Sequence, residues 1–273
     1  MKGAWTWLKD HAVVLYAAFA IAYMLIPIAV IAVFSFNDPE GKFNFTWSGF
    51  TFEHWTNAFG IEELNDALST SLQLAAIATV GATVLGTLIA LALVRYEFFG
   101  RRAANLLIVV PMATPEVVIG ASLLSMFVYA GVVTGFATLI VAHVMFCIGF
   151  VVVVVRSRLI GFDRSIEEAA ADLGASPLTT FRTVTLPLLA PGLIAAALLA
   201  FVLSLDDFVI SAFNSGQTVT FPIFIFGASQ RGIPVEVNVL ATILFLLSVA
   251  GMVLVVWQQR RAERMAAMRP TSS

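Results

Sequence analysis

Six long apolar stretches constrain this chain more than anything else in its sequence, over residues 13–34, 68–94, 103–129, 132–155, 188–210 and 238–257. About 20 such residues span a bilayer core as a helix, and only a helix or a closed barrel can bond all its own backbone groups in lipid. The expectation is an all-α, polytopic membrane protein: six transmembrane helices forming one domain over residues 1–273. Composition agrees, at 60% hydrophobic and 12% charged with a mean hydropathy of +0.95, against ~45–50% apolar and ~25% charged in soluble domains. The first stretch follows Lys2 and Lys9, as a signal peptide would. It exceeds the ~7–15 apolar residues of such a peptide and has no small-residue cleavage site after it, so it reads as a retained span. A net charge of −2 argues against nucleic acid, and a single cysteine excludes an internal disulfide or a thiolate metal cage.

Charge sets the expected orientation. With both termini and the loops 95–102 and 156–187 on one side, that side holds Lys2, Lys9, Arg95, Arg101, Arg102, Arg156, Arg158, Arg164, Arg182, Arg260, Arg261, Arg264 and Arg269. Lys42 and Arg231 fall outside. Cytoplasmic loops carry such an excess, so both termini and the 156–187 loop are expected in the cytoplasm. The tail to Ser273 is basic, its tip expected to be disordered.

Within that loop, Ile166 to Pro187 forms a polar island. Ser165 followed by Glu168 reads as a capping box opening a short helix. Ala169, Ala170 and Ala171 allow close approach of another surface, and Gly174 ends the helix in the left-handed conformation. Ser176-Pro177 suits the N-cap and first turn of a second helix. The prediction is a cytoplasmic helix-turn-helix between spans four and five. Glu168-Ala169-Ala170, Gly174 and Val184-Thr185-Leu186-Pro187 resemble the E-A-A-x-x-x-G-x9-I-x-L-P signature of permease subunits of binding-protein-dependent ABC importers, with Val184 in place of isoleucine. The stretches 49–55, 111–127, 204–216 and 234–245 are similar to permeases of the spermidine/putrescine type; permeases for iron, phosphonates and other solutes look alike there.

The resemblance implies an importer subunit of a bacterial inner membrane. Its implied partners are a second permease, a cytoplasmic dimer of ATP-binding subunits, an extracytoplasmic solute-binding protein and membrane lipid. Glu168, Ala169, Ala170, Gly174, Leu186 and Pro187 would couple to the ATPase. No G-x-x-x-x-G-K-[ST] loop is present, so ATP is expected on the partner, with no cofactor and no enzymatic activity in this chain. A secondary transporter would have no use for the docking island, and a membrane enzyme would want converging catalytic groups.

The remaining signals concern packing and pathway. Ala78, Ala82, Gly86 and Ala90, and likewise Gly192, Ala196, Ala200 and Ser204, give two spans a small face for close helix packing. Pro111 and Pro115 must kink or unwind the third span. Phe52, Trp55 and Phe59 suit a short surface helix, and residues 211–237 read as a polar connection. His143 and Cys147 lie one turn apart, two candidate metal ligands where a site needs more, or small polar groups packed between helices. Glu116, Asp206 and Asp207 are acids within spans that hold no Lys or Arg, which marks them as substrate-path candidates for a cation. Glu116 beside Pro115 serves equally as a partner for freed backbone N–H groups, and the two aspartates lie near enough to the interface to be hydrated.

Overall fold

The computed structural model describes the backbone of residues 2–161 and 163–267 and the side chains of 11–161, 163–251, 253 and 257. The side chains of Lys2, Lys9, Arg260, Arg261 and Arg264, all of Arg269, and the tail tip to Ser273 lie outside the described residues. The described chain forms α1 (Lys2–Phe34), α2 (Glu53–Thr56), α3 (Glu62–Arg95), α4 (Arg101–Ala113), α5 (Glu116–Tyr129), α6 (Phe136–Ile160), α7 (Ser165–Asp172) and α8 (Pro177–Thr180), then a π-turn (Phe181–Thr185), α9 (Leu186–Asp206), α10 (Val209–Asn214), α11 (Phe221–Arg231) and α12 (Val235–Ala267). Among the described residues, four helical stretches are long and apolar enough to cross a membrane: His11–Phe34, Glu62–Arg95, Phe136–Ile160 and Pro177–Asp206. They become five if the bent pair α4 and α5 is one broken span. The apolar part of α12, Val235–Gly251, is shorter.

Contacts divide the chain into two compact units, one running to Glu62 and resuming at Gly227, the other Glu63–Phe226. In the first unit α1 packs on α12, and most of the α1 side chains from His11 onward remain exposed. The loop after α1 is built around buried Asn37, whose side-chain amide donates to Asn44 Oδ1 at 2.7 Å and Thr46 O at 2.8 Å. Its Oδ1 accepts the Ser48 N–H at 2.8 Å. The surface helix expected over 52–59 is a single turn, Glu53–Thr56. Its aromatics serve a different end: Trp55 stacks on Phe36 with centroids 5.1 Å apart, and Phe50 and Phe52 close around the same ring. Here aromatic packing overrides the helical spacing.

The core of the second unit lies where α6 and α9 run side by side, the most extensive helix pairing among the described residues. Ala196 and Ala200 of α9 and Ala142, Cys147, Val151 and Val155 of α6 are fully buried, joined by Ala82 and Ala90 of α3. Small side chains bring the backbones together, the source of packing energy when lipid offers no hydrophobic drive. A Cβ on Gly86 would lie 2.6 Å from Val151 Cγ1, so only glycine fits that crossing.

Span boundaries differ from the sequence reading. The fourth helix starts at Phe136, because Gly131 with φ +68° and the turn around it occupy the first residues assigned to it. The fifth begins earlier, at Pro177. Pro187 has no N–H to give Thr183, and the ladder widens into the π-turn, where the Leu186 N–H reaches Phe181 O, instead of stopping. It also ends earlier, at Asp206, where Asp207 turns extended with ψ 117°. Residues 211–237 are largely helical, with Ser211, Asn214, Ser215 and Thr220 buried, so they do not form a plain polar connection. α4 and α5 meet at 111°, broken at Thr114 and Pro115.

Candidate functional site

The two backbone breaks bring the candidate acids together. Pro115 cannot continue a helix, so α5 restarts with Glu116 in its first turn. The break after Asp206 leaves Asp207, Phe208 and Val209 leading into α10. α10 packs on α5 so closely that a Cβ on Gly120 would meet Phe213 at 2.8 Å, and Asn214 Nδ2 donates to Gly120 O at 3.3 Å. The result is a cavity of about 280 Å3 lined by Glu116, Phe146, Leu203, Asp206, Asp207, Phe208 and Val209. Carboxylates and aromatic faces are the two groups that attract an organic cation.

The three acids are not equivalent. Glu116 and Asp206 are exposed, and among the described residues neither forms an ion pair. Asp207 is only 7% exposed and its oxygens are engaged. Oδ2 accepts the Ser211 N–H at 2.8 Å and Oδ1 the Ile210 N–H at 3.3 Å, so the carboxylate caps α10. His143 of α6 supports it, with Nε2 3.5 Å from Oδ2. The imidazole lies between two hydroxyls, Ser204 Oγ at 2.8 Å from Nδ1 and Ser211 Oγ at 3.0 Å from Nε2. Hydration at the interface therefore does not describe Asp207. The sequence pointed to Asp207 only as a charge; an aspartate just ahead of a helix start was the available signal for a cap. The paired reading of His143 with Cys147 also changes, since the Cys147 thiol turns to Ala200 O at 3.5 Å while His143 joins Asp207.

The second cluster is the polar island. Ser165 is the first residue of α7, not its cap: Asp163 accepts the Ser165 N–H at 2.9 Å, while the Glu168 N–H goes to Arg164 O. The capping box is thus replaced by an aspartate two residues earlier, and that backbone N–H holds the Asp163 carboxyl below its usual value. At the other end Gly174 takes φ +83°, the Ala175 N–H returns to Ala170 O and the Gly174 N–H to Ala171 O, the paired bonds of a Schellman ending. Ser176 Oγ accepts the Thr179 N–H at 3.3 Å and starts α8. Glu168, Ala169 and Gly174 are exposed, as are Leu186 and Pro187 beyond the π-turn, while Ala170 is half-buried. Sequence reasoning missed Glu167, which pairs with Arg95 and accepts the Thr185 hydroxyl.

Residues 82–265 match the family of binding-protein-dependent transport system inner membrane components. The chain belongs to that family. It is 41% identical over 234 residues to the spermidine/putrescine transport system permease protein PotC of Haemophilus influenzae, covering 85% of this chain and 90% of that one. It is 38% identical over 262 residues to the putrescine transport system permease protein PotI of Escherichia coli, covering 92% and 91%. A solved bacterial ABC transporter involved in import of the acidic polysaccharide alginate shares the fold, at a TM-score of 0.67 and 18% identity over 96% of this chain and 98% of that one. As an inner membrane component it carries its helices in a lipid bilayer, which accounts for the exposed apolar side chains of α1.

Proposed function

We propose that this protein is a permease subunit of an ATP-driven importer that moves a polyamine, spermidine or putrescine, into the cytoplasm by alternating access. The observation that carries this reading is the cavity where Glu116 and Asp206 stand without a cationic partner among the described residues, beside Phe146 and Phe208. Uncompensated carboxylates in a membrane helix bundle favour a cationic cargo, and the relatives named above are polyamine permeases. Glu116 and Asp206 receive the cargo ammonium groups, and Asp207 holds the wall.

In this reading the chain forms one domain with six crossings, α12 supplying the last, and a cytoplasmic helix-turn-helix coupling loop between the fourth and fifth. Both termini lie in the cytoplasm. Arg95, Arg101, Arg102, Arg156, Arg158, Arg164 and Arg182, which all lie in the loops 95–102 and 156–187, support that orientation. Lys42 and Arg231 are the two cations outside those loops and the termini. The exposed face of Glu168, Ala169 and Gly174, with Leu186 and Pro187 following, docks a cytoplasmic ATPase dimer, which binds the ATP. A second permease completes the pathway and an external solute-binding protein delivers the cargo.

The test is uptake of labelled putrescine and spermidine by the complete reconstituted complex. Glu116→Gln and Asp206→Asn each raise the half-saturation concentration, with ATP hydrolysis retained. Unchanged half-saturation in both would refute the cationic pathway.

A further inference from the structure

The island makes one set of contacts that neither docking nor cargo binding explains. α7 has two sides. Glu168, Ala169, Asp172 and Leu173 are exposed, whereas Glu167 and Ala170, one turn apart, are half-buried toward the protein. Glu167 Oε1 takes two partners from different elements. One is the Arg95 guanidinium, on the last residue of α3. The other is the Thr185 hydroxyl, on the last residue of the π-turn that leads into α9, itself 1% exposed. Arg164, at the start of α7, adds a longer bond to Val94 O at 3.5 Å. A single carboxylate thus joins α7 to the ends of two of the spanning helices.

Each of these helices meets the core. α3 contributes Ala90 and Leu93 near its Arg95 end, and α9 contributes Leu189 one turn past Thr185. Displacing α7 must therefore either pull both helices along or break a half-buried charged pair, and charge-assisted bonds of that kind are the strong ones. The π-turn widens the helix where the pull arrives, a place where the backbone can yield without uncoiling α9.

Resting on the docking role proposed above for α7, we propose that Glu167 is the positioning residue that carries the movement of the island into α3 and α9. Glu168 faces the ATPase; Glu167 faces the membrane helices. Removing Glu167 leaves the ATPase bound and active but disconnects its stroke from the pathway.

The experiment uses the full complex in proteoliposomes and reads ATP hydrolysed per labelled polyamine delivered, alongside the amount of ATPase subunit retained on size-exclusion chromatography. Glu167→Gln and Arg95→Gln are expected to raise ATP consumed per cargo by at least about fivefold, the low end of a site-to-site coupling energy, with ATPase retention unchanged. Exchanging the charges, Glu167→Arg with Arg95→Glu, restores part of the ratio, which a merely structural role would not predict. Thr185→Val, which removes only the hydroxyl, keeps the question answerable if the charge variants fail to fold; it is expected to shift the ratio in the same direction. An unchanged ratio in folded Glu167→Gln, or in Thr185→Val when the charge variants do not fold, overturns the proposal. So does loss of the ATPase from Glu167→Gln, which would make Glu167 a docking residue. Glu168→Lys run in parallel separates the two ideas: if it retains the ATPase at wild-type level the docking reading fails, whatever the Glu167 ratio shows.

Discussion

Asp207→Asn separates an anchor from a ligand. In the native protein two backbone N–H groups point at the two carboxylate oxygens, Ser211 at 2.8 Å and Ile210 at 3.3 Å. An amide has one oxygen, so its NH2 must face one of those donors whichever way it is turned. A lost helix cap costs about 1 kcal/mol, and a hydrogen bond to a buried charged group adds about 1.5–3 kcal/mol when it is broken. His143, 3.5 Å from Oδ2 and 1% exposed, loses a charged neighbour as well. A total of about 2.5–4 kcal/mol corresponds to a fall in melting temperature of roughly 5–16 °C. Glu116→Gln and Asp206→Asn remove charges that cap nothing, so each is expected to shift stability by less than about 0.5 kcal/mol. Their effect falls on cargo: about 1 kcal/mol for a solvent-reachable charge pair, or roughly fivefold in half-saturation. The assay is thermal unfolding of the detergent-solubilised complex together with uptake at graded polyamine concentration. If Asp207→Asn melts with the wild type and shifts half-saturation as much as Glu116→Gln does, the assignment of Asp207 as an anchor is wrong.

Gly174→Val should uncouple the island without a steric clash, since no atom lies within 4 Å of the added Cβ. The cost is the left-handed backbone, about 1–2 kcal/mol for a side chain and more for a β-branched one, and the readout is transport lost at normal membrane level. Full transport in that variant would contradict the need for the turn. Orientation is checked by single cysteines in a protein whose buried Cys147 has been replaced. Phe52→Cys is expected to react with an impermeant thiol reagent in intact cells and Ala169→Cys only after lysis; the reverse pattern would invert the topology.

Much of the architecture was legible because lipid leaves few options. The small-residue stripe Ala78, Ala82, Gly86 and Ala90 is buried throughout, and in the second stripe Ala196, Ala200 and Ser204 are buried while Gly192 is half-buried beside Arg158. Those periods report packing directly. The Pro115 break was legible for the same local reason, a missing donor. What the motifs and spacings did not reach were choices of partner, some close by and some far along the chain. Asp163 takes the Ser165 N–H at 2.9 Å and α7 starts after Arg164, so Ser165 is already helical, and one short aspartate two residues upstream carries little weight in a motif. Phe36 drew Trp55 into a stack from nineteen positions away, shortening the expected helix to one turn. Asp207 was recognisable as an unusual acid but not as one held by His143, which is 64 positions earlier in the chain. The bend between α4 and α5 was expected, but proline alone does not specify 111°.

The break at Asp207 and the break at Thr114 and Pro115 bear on how such a protein could change its cargo. The seam between α6 and α9 tolerates almost no added volume, because Ala196 and Ala200 are already sealed. The cavity wall is different: Glu116 and Asp206 are exposed at ends of helices, where a substitution meets solvent instead of a packed neighbour, whereas Phe208 is held against Phe226 with ring centroids 4.7 Å apart. On the proposed pathway, a lineage could exchange those two exposed acids and so alter which molecule is carried, while the contacts that keep the bundle assembled stay as they were.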